Sequence, residues 1–312
     1  MDTKSPARVT SPPTKRKATP RRDTVPALLM ITPAMLGLLL GVVLPFLAAG
    51  WLSLNNIRLN SPRPAVWFGL EQYARVLTDP EFYRGLGNNF LFAVIVVPLQ
   101  TALALALAMM LNQPLRGMKV FRTFFFMPVV FPMALVSVIW KLMYSRDDLG
   151  LLNALLHWIS FGAIAPIDWL GSSSTAMLSI IIMSIWQGVG FQMIILLAGL
   201  QGIPTSLYEA ARIDKASWWQ QVLNVTIPGL RNTLIFVVMV TTIFSFRLFD
   251  QIYILTQGGP NSATTTVMYQ AVTSAFTENN VGRGSAITVV FFVIVLAITI
   301  VQRRVLREER EV

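Results

Sequence analysis

The sequence predicts an all-α polytopic membrane protein with six transmembrane helices. Three observations carry this. Of 312 residues, 54% are hydrophobic and only 13% charged, where a soluble domain carries about a quarter charged residues. Predominantly apolar runs of about twenty residues recur six times, each long enough to cross a hydrocarbon core of about 30 Å. Backbone groups in lipid find no water, so runs of this length satisfy themselves as helices.

Residues 1–25 are rich in Pro, Ser, Thr and bases and are expected to be a disordered basic tail, either simply solvated or resting on anionic lipid head groups. The first span is expected at 27–54, with Pro33 and Pro45 inside it. Its apolar stretch outruns a signal-peptide core, so it reads as an uncleaved anchor. With an outer loop it forms a region 26–88. A core of 89–302 follows, with spans expected at about 89–111, 120–144, 175–199, 229–254 and 285–302, then a C-terminal tail 303–312. "TALALALAMM" (101–110) lies within a span and must be helical. Ala102 with Ala106, and Ala104 with Ala108, then become small-xxx-small pairs that permit close helix approach. Asn88 and Asn89 open the second span and read as interfacial. "LGLLNALLHWI" (149–159) and "VMYQAVTSAF" (267–276) space apolar residues three or four apart, as short amphipathic helices at the outer interface do.

Orientation follows from Lys and Arg. The N-tail, the 112–122 and 200–231 links and the C-tail carry 17 of the 25 bases, and the opposite loops carry 6. Lys141 and Arg247 lie within spans. The excess places both termini and the 200–231 link in the cytoplasm. It also accounts for the net charge of +10, so no nucleic-acid partner is inferred. There is no Cys and one His, His157, which excludes disulfides, thiol catalysis and a Cys or His-cluster metal site. No G-x-x-x-x-G-K-[ST] stretch is present, so the chain has no P-loop of its own.

One polar segment, "YEAARIDKASWWQQVLNVTIP" (208–228), interrupts the apolar chain. Ser206 followed by Glu209 has the spacing of a capping box. Ala210, Ala211 and Ile213 continue that helix, and Asp214-Lys215 breaks it. A second helix is expected over 216–224, with Trp218, Trp219, Val222 and Leu223 on or near one face. Pro228 sets up the next span. The segment reads as a helix-turn-helix on the cytoplasmic face, apolar side toward the bundle. It is either a plain amphipathic connector or a surface presented to a partner.

"EAARIDKASWWQQVLNVTIPGL" resembles the EAA motif of permease subunits of ATP-binding-cassette importers. "IWQGVGFQMIILLAGLQGIP" (185–204) is similar to the sugar-importer branch. The LT-x-GGP element of "FRLFDQIYILTQGGPNSATT" (246–265) resembles the first of the two permeases in carbohydrate importers of the maltose and glycerol-phosphate type. The resemblance covers roughly 70–302. It implies the type I importer transmembrane architecture in a bacterial inner membrane. It also implies that residues 205–228, with Ser206, Glu209, Ala210, Ala211, Asp214, Lys215 and Pro228, form a coupling segment seated in a groove of a separate ATPase dimer. ATP and Mg²⁺ would be bound there and no cofactor by this chain. A second permease and an extracytoplasmic substrate-binding protein are the other implied partners. Lys215 stands where the family usually has Gly; if that position needs φ > 0, Lys costs roughly 1 kcal/mol.

Polar side chains inside spans are functional candidates by default. Gln187 and Gln192 lie in the fourth span beside Trp186. Thr241, Thr242, Ser245, Arg247, Asp250 and Gln251 lie in the fifth. Amides and carboxylates bond sugar hydroxyls, and Trp186, Phe246, Phe249 and Tyr253 offer stacking faces. Arg247 and Asp250 are equally readable as a structural i,i+3 ion pair. The chain is expected to have no catalytic residue. The substrate is expected to be a sugar or sugar-like solute, with glycerol phosphate or a glycerophosphodiester as the alternative. An integral-membrane transferase needs clustered acids, and the adjacent acidic pairs, Asp147-Asp148 in an outer loop and Glu308-Glu309 in the C-terminal tail, lie on opposite sides of the expected spans. A secondary transporter usually shows internal repeats, and none is seen.

Overall fold

The computed structural model describes residues 24–62, 64–113, 116–146 and 150–306. The tail expected at 1–25 falls almost wholly outside these residues, as do Asp147-Asp148 and the C-terminal tail beyond residue 306. The chain falls into two compact units, one ending at Ala48 and the other Ala49–Val312.

The first unit is the span expected near the N-terminus. Helix α1 (Thr24–Leu38) passes through a π turn at Leu39–Val43 into α2 (Leu44–Ser53), which crosses the unit boundary. Pro45 lacks an N–H and cannot keep the i→i−4 ladder, and the wider turn sits just ahead of it. Apolar side chains are exposed along most of this helix, as a lipid-facing span requires.

The second unit opens with a short antiparallel pair, β1 (Asn55–Asn56) and β2 (Val66–Trp67), and α3 (Glu71–Leu77). Helix α4 (Pro80–Leu111) starts nine residues before the expected second span. Asp79 caps it, its carboxylate accepting from Glu81 N at 2.9 Å, and Pro80 occupies the first turn, where its missing N–H costs nothing. At 32 residues it is about 48 Å long, so one end projects past a hydrocarbon core.

The expected single span at 120–144 is two helices, α5 (Met118–Val130) and α6 (Met133–Met143), bent by 98°. Pro132 drives its predecessor out of the helical region, and Phe131 is extended at φ −79°, ψ 137°. Next come α7 (Leu151–Ile159), the 26-residue apolar helix α8 (Ala176–Gln201), and the polar pair α9 (Thr205–Ile213) and α10 (Trp218–Gln221). A π turn at Val222–Thr226 leads through α11 (Ile227–Gly229) into α12 (Arg231–Phe246). The expected fifth span is also broken: α12 ends at Phe246, three residues intervene, and α13 (Asp250–Leu255) completes the crossing. Helix α14 (Val267–Val272) and α15 (Val281–Leu306) close the chain.

Five helical stretches, or six counting the bent α5–α6 pair, are long and apolar enough to cross a membrane. α4 and α8 pack along each other, with α5 and α12 on their flanks and α15 against α12. Ala104 and Ala108 are fully buried in this packing, clustered with Met193 and Leu196 of α8. Ala102 and Ala106 face outward instead, so only one of the two small-residue pairs makes a helix contact. Helix α7 is amphipathic as expected. Its Asn153 is buried, bonding Ser145 O, Ile167 N and O and Trp169 Nε1. Helix α14 packs one face into the bundle. Val267 and Ala271 are buried with Phe82, Ala93 and Phe246.

A break inside a span frees backbone groups that lipid cannot satisfy. Side chains satisfy them here. Asn89 Nδ2 donates to Phe246 O at 3.4 Å and its Oδ1 accepts from Val267 N at 3.0 Å. Thr266 Oγ1 donates to Leu248 O at 2.9 Å. Asn89 is therefore a fully buried junction between α4, α14 and the α12–α13 break, not the interfacial residue its position predicts. Asn88 likewise donates to Ser262 O and Thr265 O.

Candidate functional site

Two polar features stand out from the apolar bundle. The first is a half-open cavity of about 390 Å³ between α4, both sides of the α5–α6 bend, α8 and the α12–α13 break. Its wall carries four glutamines: Gln100, Gln187, Gln192 and Gln251. Gln100, Gln192 and Gln251 are buried, at 6%, 1% and 8% exposure. Gln192 Nε2 donates to Thr241 Oγ1 at 2.6 Å, while its buried Oε1 has no partner. The Gln100, Gln187 and Gln251 amides make no hydrogen bond among the described residues. Gln192 Oε1 is the one of these amide atoms sealed from solvent without a partner; buried amides in a finished core are almost always paired, and the other three amides face the open space of the cavity.

The hydroxyls of the wall are spoken for. Ser184, Thr241 and Ser245 each donate to a backbone carbonyl four residues back, at 2.7, 2.7 and 2.9 Å. Such bonds keep a polar side chain quiet inside a helix and leave the amides as the available donors. Phe92, Phe191, Phe244 and Met133 supply the apolar remainder. No ionisable side chain is among the lining residues. Gly188 belongs to the design. A Cβ there would lie 2.5 Å from Gln100 Nε2, so the glycine makes room for that amide.

The sequence candidates divide around this cavity. Gln187, Gln192 and Ser245 line it. Thr242 does not: it accepts from Gln302 Nε2 at 2.8 Å and ties α12 to α15. Trp186 stacks edge-on to Trp140 at 5.5 Å, beside the cavity. Arg247 and Asp250 are exposed, and no ion pair joins them. The expected i,i+3 geometry is absent because Phe249, at φ −138°, ψ −60°, breaks the helix between them. Phe249 and Tyr253 stack on each other at 5.5 Å. Gln100 went unnoticed in the sequence because it sits in an alanine-leucine run, with no polar neighbour but Thr101.

The second feature is the 205–228 segment. The expected Ser206–Glu209 capping box does not form. Helix α9 starts at Thr205, directly after Pro204, with no side-chain cap. Ser206 is thus already inside the first turn, where its hydroxyl cannot reach the free amides ahead of it. The capping box is on α10: Ser217 Oγ accepts from Gln220 N at 3.4 Å, and Gln220 Oε1 accepts from Ser217 N at 2.7 Å. Between the helices Lys215 adopts φ +57°. Ala216 N donates back to Ala211 O at 2.9 Å, the bond of a left-handed helix C-cap. The residue that usually is Gly therefore does sit in the left-handed region.

Glu209, Ala210, Asp214 and Pro228 are exposed. Of the four residues expected on the apolar face of the second helix, only Val222 is buried. Trp218, Trp219 and Leu223 are 56%, 67% and 59% exposed, and the two indoles pack edge to face at 4.4 Å. Tyr208 anchors the segment, its hydroxyl 3.1 Å from Thr226 Oγ1. A groove of about 380 Å³ runs between α9 and α10, lined by Thr205, Tyr208, Glu209, Arg212, Trp218 and Gln221 among others.

Broken membrane helices around an amide-lined cavity, with a polar helical pair at one end of the bundle, define a polytopic membrane protein built to pass a solute. Residues 100–310 match the family described as the binding-protein-dependent transport system inner membrane component, and the chain belongs to it. It is a membrane-spanning translocation subunit of an ATP-binding-cassette importer. It is 37% identical over 285 residues to the trehalose/maltose transport system permease protein MalF of Thermococcus litoralis, covering 91% of this chain and 94% of that one. The lactose transport system permease protein LacF of Rhizobium radiobacter is 36% identical, covering 81% and 84%. The sulfoquinovosyl glycerol permease SmoG of Agrobacterium fabrum is 30% identical, covering 91% of each. The fold matches a bacterial importer of the acidic polysaccharide alginate at a TM-score of 0.78, 19% identity and 93% and 97% coverage. A second structure of that importer contains a pentasaccharide-bound periplasmic protein. The architecture is the type I importer transmembrane domain.

Proposed function

We propose that this subunit passes a sugar-type solute through the glutamine-lined cavity and draws its drive from a separate ATPase seated on residues 205–228. The observation that supports this most is the set of amides that line the cavity without a protein partner among the described residues, beside aromatic rings. Amides bond hydroxyls, and Phe92, Phe191 and Phe244 offer faces for the apolar side of a sugar ring. Sugars named for the relatives, trehalose, maltose and lactose, point the same way.

In this reading Arg247, Phe249, Asp250 and Tyr253 flank the outer mouth, and Trp186 and Thr242 brace the wall. The two helix breaks are the places where the path can widen, since φ/ψ change is absorbed there, and at the α12–α13 break the freed carbonyls are already capped by Asn89 and Thr266. Ser206, Glu209, Ala210, Ala211, Asp214, Lys215 and Pro228 form the coupling surface. ATP and Mg²⁺ belong to an ATPase pair, a second permease completes the path, and an extracytoplasmic binding protein delivers the solute, as the alginate importer's complex supports. Both termini and the coupling segment face the cytoplasm of a bacterial inner membrane, from the distribution of bases.

The test is ATP-dependent uptake of labelled maltose, trehalose and lactose by the complete importer in proteoliposomes. Uptake of at least one, lost in Gln192→Leu with assembly intact, is expected. Uptake of none of them, with glycerol 3-phosphate taken up instead, would overturn the sugar reading.

A further inference from the structure

We infer that the membrane cavity is a charge filter: it admits solutes of zero net charge and excludes phosphorylated, sulfonated or carboxylated ones. This deepens the transport reading and rests on it. The argument is one of electrostatic composition. The lining consists of four glutamines, three hydroxyl side chains and apolar surface, with no Lys, Arg, His, Asp or Glu. A charge brought from water into such a site gives up part of its hydration and finds no counter-ion on this chain's wall, and that loss exceeds what neutral amides return. An uncharged polyol loses only hydroxyl hydration, which the Gln100, Gln187 and Gln251 amides replace one for one.

The charged side chains on the helices around the cavity do not reach its wall. Arg247 and Asp250 flank the α12–α13 break, yet both are exposed and neither lines the cavity. Lys141 is committed elsewhere, its Nζ donating to Ile254 O at 2.8 Å at the end of α13. Arg122 donates to Leu111 O at 2.7 Å at the far end of α4. Gln251 and Gln100 stand on different helices across the cavity, so a bound solute must offer donors and acceptors on more than one side. The inference separates this chain from relatives and neighbours whose names carry acidic solutes, despite the shared fold.

The chain contains no Cys, which allows a direct occupancy test. Val129 lines the cavity and is apolar, so Val129→Cys reports occupancy without removing a recognition group. The assembled importer carrying Val129→Cys, with any cysteines of the other subunits replaced, is labelled with a small maleimide in the presence of maltose, trehalose, glycerol, maltose 1-phosphate, glucuronate or glycerol 3-phosphate. A solute at about four times its dissociation constant slows labelling about fivefold. Protection by a neutral solute, and none by its charged counterpart, is expected. Protection by glycerol alone among the neutral solutes would remove the sugar reading and leave the filter standing. Equal or better protection by an anionic member overturns the inference, and protection by none of the six overturns it as well. Gln251→Leu and Gln100→Leu in the Val129→Cys background should each abolish the protection. Retained protection in both would show that the amides are not the recognition groups.

Discussion

Gly188 yields its side-chain space to Gln100: a Cβ at 188 would stand 2.5 Å from the Gln100 amide nitrogen, across the α4–α8 contact. Two residues on, Gly190 yields its space to main chain instead. A Cβ there would lie 2.1 Å from Phe125 O of α5. The first glycine shapes the cavity and the second lets two helices touch.

Alanine should separate these roles. In Gly188→Ala the flexible end of Gln100 swings away, so membrane abundance should hold while uptake falls severalfold. In Gly190→Ala the backbone of α5 cannot yield, and overpacking of this kind costs roughly 1–3 kcal/mol or more. Abundance of the subunit and the thermal stability of the purified importer should both drop. Abundance by immunoblot and uptake, measured in parallel, decide the matter; identical behaviour of the two variants would contradict the assignment.

Asn89 should be the polar residue the fold tolerates losing least. Asn89→Leu strands Val267 N and Phe246 O inside the bundle, and an orphaned buried group costs about 1–3 kcal/mol. The importer's midpoint of thermal unfolding should fall by several degrees. Asn89→Asp keeps the acceptor for Val267 N and loses only the donor, but buries a carboxyl group. Its midpoint should lie between the two. A midpoint for Asn89→Leu equal to wild type would show that water takes the place of the amide.

What was legible in the sequence follows from what a sequence carries. Apolar run length is a local property, and the five long membrane helices were where it put them. The left-handed turn at Lys215 was legible only through the family resemblance, which puts a glycine position there, since a lysine by itself does not call for φ > 0. The helix breaks were less so. Pro132 announces the first, but Phe249 breaks α12–α13 with no residue of its own that forbids a helix, and the carbonyls it frees are capped by Asn89 and Thr266 from distant segments. The Arg247–Asp250 pair failed for the same reason, since i,i+3 spacing means proximity only if the helix continues. The Ser206–Glu209 box failed by register. With α9 starting at Thr205, directly after Pro204, the helix begins two residues too early for Ser206 to lie outside it, and the same signature three residues apart at Ser217–Gln220 is the one that forms.

Topology can be read on the natural cysteine-free background. Ser173→Cys lies in the exposed segment before α8 and Ser206→Cys on the exposed first turn of α9. From the base distribution, an impermeant maleimide should label Ser173→Cys in cells with a permeabilised outer membrane and leave Ser206→Cys unlabelled until the inner membrane is opened. The reverse pattern would invert the orientation.

Lys215→Gly should stabilise the turn between α9 and α10. A left-handed residue with a Cβ costs roughly 1 kcal/mol relative to glycine, and Lys215 N and Ala216 N already donate to Arg212 O and Ala211 O. Amide exchange in residues 210–217 of the intact importer should slow severalfold with no loss of uptake. Faster exchange would mean the unfolded-state freedom that glycine adds outweighs the relief of strain.

Glu209 gives the sharpest test of coupling, because the structure leaves it without a structural job. It caps no helix, makes no hydrogen bond or ion pair among the described residues, and stands exposed at the groove between α9 and α10. Glu209→Ala should therefore leave the folding stability and membrane abundance of the subunit unchanged. If it also lowers uptake, the lost interaction lies outside this chain. Glu209→Lys should do more, placing a cation where the groove already holds Arg212 and where a partner would present a donor to the carboxylate. The expected outcome is normal abundance, retained pairing with the second permease, loss of the ATPase subunits on purification, and loss of uptake. Glu209→Gln keeps shape and hydrogen-bonding capacity and should fall between wild type and Ala. Wild-type uptake in Glu209→Lys cells would remove the coupling role from this residue, and depleted membrane abundance in Glu209→Ala cells would show instead that the carboxylate supports folding.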